Sequence, residues 1–231
     1  MNTGTEKHKT AAHCVPEERT ARRIIICAGT GCVANGSLDV YDRFMEVVTQ
    51  RGLRVSVEYS ADDNSGKRDG HVHLSRSGCQ GFCQMGPLVT VLPQDVLYTR
   101  VRPADVDEIV ETTICSDNLV ERLLYRDPST AVVCSTPADI PFYAQQTRTV
   151  LDACGRIDPE SIDEYLGSGG YTAARRVFRE LEPTDVCRLV ADSGLRGRGG
   201  GGFPTGRKWE LTRTQPGKQR YVVCNGDEGD P

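Results

Sequence analysis

Four of the ten cysteines in these 231 residues fall into two tight pairs, Cys27-x4-Cys32 and Cys79-x3-Cys83. Four thiolates around two irons satisfy a [2Fe–2S] cluster. Zinc also takes four cysteines, usually from C-x2–4-C pairs. A thiol-redox centre would use C-x2-C, a spacing neither pair has, and unliganded cysteines are common in cores. Spacing alone favours the cluster and leaves zinc, thiol redox and incidental thiols open. Gly29, Gly31, Gly78, Gly81 and Gly86 surround the pairs. Bare backbone there leaves amides free to hydrogen-bond cluster sulfurs. Cys14, Cys115, Cys134, Cys154, Cys187 and Cys224 have no comparable spacing and read as core or incidental thiols.

The second constellation is GLRGRGGGGFPTGRKW, from Gly194 to Trp209. Its glycines permit close backbone approach to a ligand, and consecutive free amides make an anion nest. Between Arg196 and Arg220 stand seven basic residues and one acid, Glu210, an excess that suits phosphate. The string is neither G-x-x-x-x-G-K-[ST] nor a G-x-G-x-x-G that follows a strand, so as a generic nucleotide signal it is weak. A flexible glycine linker is the plain alternative, although FPTGRKW is too specific for one.

The elements that must position these residues read as follows. Residues 1–22 are a polar tail. Arg23 to Cys27 is a buried strand, and AGTGCVANG is a loop. Ser37 caps a helix whose apolar face is Leu38, Tyr41, Phe44, Met45 and Val48, stopped by Gly52. Strands follow at Leu53 to Tyr59, His71 to Ser75, Leu88 to Leu92 and Val96 to Val101, the last two joined by a turn at Pro93-Gln94-Asp95. A helix from Ala104 to Ile114 closes an α/β unit over 23–115. Loops after neighbouring strands can then bring the two cysteine pairs to one sheet edge. Residues 116–141, with three prolines, read as a linker. A second region over 142–231 opens with a helix capped by Asp158-Pro159 and running through Tyr165. Helices at Thr172 to Leu181 and Thr184 to Ser193 follow, then the glycine segment, then a short strand from Tyr221 to Cys224.

Composition narrows the function classes. The net charge is −4, which disfavours a general nucleic-acid binder. There is no run of roughly 18 apolar residues to span a membrane, and no apolar core of a secretory signal near the start. A reducing cytoplasm is the expected compartment, where spaced cysteines favour metal or redox chemistry over bridges.

CAGTGC followed by a helix, then GCQGFCQMGPLVTV, resembles the thioredoxin-like [2Fe–2S] ferredoxin domain. That domain occurs in the small subunit of NADH dehydrogenases and at the N-terminus of flavin subunits of soluble NAD-linked hydrogenases and formate dehydrogenases. GLRGRGGGGFPTGRKWE, followed by YVVCNGDEGDP, resembles the FMN- and NADH-binding subunit of NADH dehydrogenase, as does DACGRIDPESIDEYLGSGGYTAARRVF before it. The resemblance implies an α/β fold, a ferredoxin domain followed by the truncated start of an α/β FMN-binding domain. It implies a [2Fe–2S] cluster on Cys27, Cys32, Cys79 and Cys83. It lays the loop of Gly197, Arg198, Gly199, Gly200, Gly201, Gly202, Phe203, Pro204, Thr205 and Gly206 along FMN and NAD(H). Arg198 and Lys208 would approach the FMN, and Phe203 the nicotinamide or adenine. Asn225, Asp227 and Glu228 would hydrogen-bond FMN.

Two residues depart from the respiratory version: Asp230 replaces a glutamate, and Leu211 an aromatic. The NGDEGDP form and the fused ferredoxin domain look closer to the soluble hydrogenase and formate dehydrogenase relatives. The implied activity is an NADH:acceptor oxidoreductase subunit, with other iron–sulfur, hydrogenase or formate dehydrogenase subunits as partners. In the family a [4Fe–4S] domain follows further on. The sequence stops inside its second motif, so an N-terminal fragment without NADH turnover of its own is expected. The alternative is a stand-alone [2Fe–2S] electron carrier.

Overall fold

The computed structural model describes residues 22–56, 71–217, 219–221 and 223. The chain divides into two compact units, at Gly169 and Gly170.

In the first unit a five-stranded mixed sheet has the order β2-β3-β1-β4-β5. Its strands are β1 (Arg22–Cys27), β2 (Arg54–Ser56), β3 (His71–Ser77), β4 (Val89–Leu92) and β5 (Val96–Tyr98). β1 and β2 both run parallel to β3, whereas β4 is antiparallel to both β1 and β5. α1 (Thr30–Ala34) and α2 (Ser37–Gln50) follow β1. α3 (Val106–Ile109) follows β5 and continues as a wider turn through Cys115.

Period-two alternation with cover on both faces explains why Ile24 to Cys27 of β1 are all apolar. Ile24 and Ile26 join Val40, Phe44, Val47, Val106 and Ile109 in the core under α2 and α3. Cys27 faces the other way, with Leu88 and Leu97. A central strand covered on both faces reads as a continuous apolar run, with the two arginines confined to its start.

The second cover comes from the stretch expected as a linker. Residues 116–141 pack on the sheet, with β6 (Tyr125–Arg126) paired to β7 (Val133–Cys134). The Leu97 amide donates to the Ser135 carbonyl at 2.9 Å, and Thr99 donates to Leu123 at 2.8 Å. Val120, Leu123, Leu124, Cys134 and Ile140 are buried. The prolines mark short turns in this cover: Pro137 opens a single turn capped by Thr136 and Asp139, and Pro141 starts α4 (Pro141–Ala144). Further on, Glu164 in α5 (Ile162–Gly167) pairs with Arg23 of β1 at 2.9 Å. Residues beyond 142 therefore still belong to the first unit.

Several local expectations shift. Thr30 to Ala34, expected as loop, is helical, held by Val33 N–H to Gly29 and the Asn35 side chain to Gly31. The α2 cap is Gly36 with φ +88°, and Ser37 is already helical. Val40 and Val47 replace Leu38 on its buried face. The α5 cap is Ser161, whose hydroxyl accepts from Glu164 N–H at 3.3 Å, not Asp158-Pro159. Cys115 is disulfide-bonded rather than an incidental thiol.

The second unit holds α6 (Thr172–Glu180), α7 (Pro183–Asp192) and α8 (Thr205–Arg213). α8 begins within the glycine-rich segment, at Thr205, and runs past its end at Trp209. The segment from Leu53 to Tyr59 is described only up to Ser56. Of the strand expected from Tyr221 to Cys224, Tyr221 and Val223 have no strand pairing, and Val222 and Cys224 lie outside the described residues.

Candidate functional site

The four paired cysteines meet at one end of the sheet. Cys27 ends β1, and Cys32 lies in α1 just beyond it. Cys79 follows β3, and Cys83 opens a single turn through Met85. β1 and β3 are parallel neighbours, so the loops leaving them emerge side by side. The sulfurs of Cys79 and Cys83 stand 3.8 Å apart. The Cys27 thiol lies 3.8 Å from the Gly78 carbonyl, and each pair feels the charge of the other. Cys27 and Cys32 are buried, Cys79 is half-buried and Cys83 is exposed.

The glycines have a steric reason. A Cβ on Gly29 would lie 2.8 Å from Cys79 Cβ and 2.9 Å from its Cα. One on Gly86 would lie 2.6 Å from Cys32 Sγ, and one on Gly31 would lie 3.1 Å from Cys83 Cβ. Only bare backbone lets the two cysteine loops close on each other. Gly81 adds the amide contact expected from sequence, donating to Cys79 Sγ at 3.3 Å.

Electrostatics prepares one thiolate. The hydrogen bond from Cys32 pulls the Cys27 pKa down to about 6, against the opposing effect of burial and with help from the Gln80 and Gly29 amides. The same bond, with burial and the Cys27 charge, pushes Cys32 up. Burial leads in raising Cys79. A metal centre is the natural replacement for the shared proton, since metal ligation requires thiolates.

An aromatic lid covers the site. Phe82 stacks on Phe142 with ring centroids 4.8 Å apart, and Tyr143 and Tyr125 meet Phe82 edge-on. The Arg148 guanidinium lies over the Tyr143 ring, 5.5 Å from its centroid, and donates to the Gln80 carbonyl. Sequence reasoning missed Phe142, Tyr143 and Arg148, which carry no spacing signal relative to the cysteines.

Among the described residues, no group of three or more His, Cys, Asp or Glu side chains is already arranged around a metal position.

The glycine-rich segment forms a closed loop in the second unit. Arg196 and Pro204 make a β-bridge, Gly197 N–H donates to Phe203 at 2.9 Å, and Thr205 N–H donates to Leu195 at 2.9 Å. A Cβ at Gly199, Gly200, Gly201 or Gly202 would meet nothing within 4 Å, so this tip is open to a ligand. Arg198 is exposed, and Phe203 is 42% exposed. Lys208 is exposed on α8, which Pro204 caps and Thr205 opens. Gly206 serves packing: its Cβ would lie 2.5 Å from Ala191 Cα of α7. Asn225, Asp227 and Glu228 lie outside the described residues.

Residues 15–113 match the thioredoxin-like [2Fe-2S] ferredoxin family, and residues 190–231 match the Nuo51 FMN-binding domain. The chain joins these two sequences. Its relatives include the NADP-reducing hydrogenase subunit HndC of Solidesulfovibrio fructosivorans, 51% identical over 87 residues, which are 38% of this chain and 18% of that protein. The NAD-reducing hydrogenase HoxS subunit alpha of Cupriavidus necator is 30% identical over 186 residues, covering 78% of this chain and 28% of that protein. A thioredoxin-like [2Fe-2S] ferredoxin of known structure from Aquifex aeolicus is 28% identical, covers 46% of this chain and 90% of its own, and has a TM-score of 0.35. The chain thus spans less than a third of the length of these hydrogenase subunits. Among the described residues no helix is long and apolar enough to cross a membrane.

Proposed function

We propose that this chain is an electron-transfer part of an NADH:acceptor oxidoreductase of the NADH dehydrogenase and NAD-linked hydrogenase kind. Cys27, Cys32, Cys79 and Cys83 hold a [2Fe–2S] cluster. The loop of Gly197, Arg198, Gly199, Gly200, Gly201, Gly202, Phe203, Pro204, Thr205 and Gly206, with Lys208, Asn225, Asp227 and Glu228, takes part in binding FMN and NAD(H). When bound, FMN supplies the conversion between hydride chemistry and single electrons, and the cluster supplies one-electron carriage. Other iron–sulfur, hydrogenase or formate dehydrogenase subunits are the partners, in the cytoplasm.

One observation carries the cluster assignment: two thiol pairs from separate loops meet where glycines leave room for nothing larger. The donor set also fits. Cys27 and Cys32 sit in a dry, aromatic-capped end, and Cys79 and Cys83 face outward, giving a buried side for stability and an outer side for exchange.

The test is anaerobic reconstitution with iron and sulfide, followed by visible absorption and EPR. Charge-transfer bands with about two irons per chain are expected. Serine at Cys27, Cys32, Cys79 or Cys83 should cost most of the cluster, and Cys187→Ser should cost none. A colourless chain holding one zinc would overturn the assignment, and cluster loss in Cys187→Ser would overturn the ligand set.

A second reading, electron carriage without NADH activity, is favoured by the position of all four thiols within the first compact unit. The two readings part on whether FMN is retained and NADH bleaches the cluster bands.

A further inference from the structure

The cysteine turn borders a groove of about 540 Å³ that the site itself does not use. Gln84 and Met85, immediately after Cys83, form one wall. Arg100, Arg102, Arg122 and Arg126 line the groove against a single acid, Asp105. Arg122 is already neutralised by Asp105, at 2.8 Å, and by Glu108. Arg126 donates to the Ala131 carbonyl at 2.9 Å, which leaves its charge uncompensated. Among the described residues the guanidinium groups of Arg100, Arg102 and Arg126 are ion-paired to no acid, although the Arg102 backbone N–H donates to Asp105 at 2.8 Å. Three free cations in a chain of net charge −4 are a local inversion of sign.

Arg100 supplies a second, independent observation. Its φ is +53°, in the left-handed region that favours glycine or asparagine. Its N–H donates to the Met85 carbonyl at 2.8 Å, tying it to the cysteine turn. A bulky cation kept in a strained backbone conformation is expected where its position is used.

We propose that this groove docks an acidic redox protein, placing the partner against the turn that carries the exposed Cys83. The lining favours a protein over a free polyphosphate. The cations are arginines around an apolar floor that includes Leu124, rather than backbone amides converging on one point. Repulsion by the acidic remainder of the chain orients such a partner onto this one patch. The redox half of the statement rests on the cluster assignment above; the docking half does not. In the exchange it would serve, a metal centre held by the four cysteines would give up one electron to an oxidised one-electron acceptor in the partner (in the probe used below, a ferric haem iron that becomes ferrous), with no bond or proton changing hands.

The acidic haem protein cytochrome b5 is the probe, with basic cytochrome c as its counterpart. Calorimetric titration of the full chain with cytochrome b5 at low salt should show binding that Arg100→Asn, Arg102→Gln and Arg126→Gln together weaken by roughly tenfold or more. Asparagine keeps the left-handed backbone at position 100 accessible. The difference should collapse at about 0.5 M salt, where charges are screened within a few ångströms. Cytochrome c binding should not weaken in the variant. In the cluster-loaded chain, reduction of cytochrome b5 should slow by the same factor while the visible bands stay unchanged. Equal cytochrome b5 affinity in wild type and variant overturns the docking. So does a variant that loses saturable binding of tripolyphosphate but keeps cytochrome b5, because the groove is then a small-anion site. A chain that binds cytochrome b5 as expected but shows no cluster bands refutes the redox half alone.

Discussion

Replacing Gly29 with alanine adds one methyl group where the two cysteine loops touch. Gly29 has φ −64° and ψ 151°, which any residue adopts, so the change introduces no backbone strain. The effect is purely one of space. The new Cβ would lie 2.8 Å from Cys79 Cβ, 2.9 Å from its Cα and 3.2 Å from its sulfur. Carbon atoms rest at about 3.5–4.0 Å. One loop must therefore move by roughly 0.7–1.2 Å. Overpacking of this kind costs about 1–3 kcal/mol. Alanine is also a poorer cap than glycine for α1, by up to about 1 kcal/mol. The lower entropy of the unfolded alanine chain, about 0.4–1 kcal/mol, offsets that. The overpacking cost is what remains.

The consequence for the ligand set is larger than the stability change suggests. Metal–ligand distances hold to about 0.2 Å, so a 0.7 Å displacement of Cys79 is several times the tolerance. Two measurements follow: urea unfolding of the metal-free chain by far-UV circular dichroism, and iron and sulfide per chain after reconstitution. Gly29→Ala should lower both. Gly167→Ala is the control, since its Cβ meets nothing within 4 Å, and it should lower neither. A Gly29→Ala chain with the parent's unfolding midpoint and full iron content would show that the loops are not closed on each other as described.

Two further outcomes are expected. Gly206→Ala should separate α7 from α8, because its Cβ would lie 2.5 Å from Ala191 Cα; loss of Trp209 fluorescence cooperativity at lower urea would report it, and an unchanged midpoint would contradict the packing role. The metal-free chain should titrate one thiol near pH 6, the Cys27 value, read as thiolate absorbance near 240 nm. Because the folded value lies below the ordinary 9.0, this group's stabilisation is complete above 9.0 and is lost as pH falls through about 6. The urea midpoint should accordingly rise with pH between those values. Above 9.0 the slope should reverse, since folded Cys32 keeps a proton that the unfolded chain releases. A single titration at 9.0 would refute the Cys27–Cys32 pairing.

What sequence revealed here was what short-range chemistry encodes. The cysteine spacing located the site, and RIIIC announced a strand buried on both faces. The pattern could not say what buried it. The second cover draws on Tyr125, Cys134, Ile140 and Tyr143, from a stretch whose prolines and short apolar groups have no period of their own, and such segments read as linkers. The same blindness hid Arg148 and Tyr143, which reach the site through long-range packing. Gly206 shows the converse. Its place in a glycine-rich string suggested a ligand contact, and nothing in the string announced the close approach of two helices that it also permits.

That cover bears directly on redox behaviour. A cluster's potential responds to burial, hydrogen bonds to its sulfurs and nearby charge. Cysteine thiolates alone fix none of these. Here Phe82 and Tyr143 pack with Cys27 and Cys32 on one side, the Gly81 amide points at Cys79, and the Arg148 cation lies against Gly81 on the Cys79–Cys83 loop. Positive charge beside the site favours the reduced, more negative form and so raises the potential; loss of the aromatic cover would alter solvent access without changing that charge. The ligands specify which centre can form. Residues outside the ligand set, on the Cys79–Cys83 loop and at 142–148, would set how readily that centre gives up its electron.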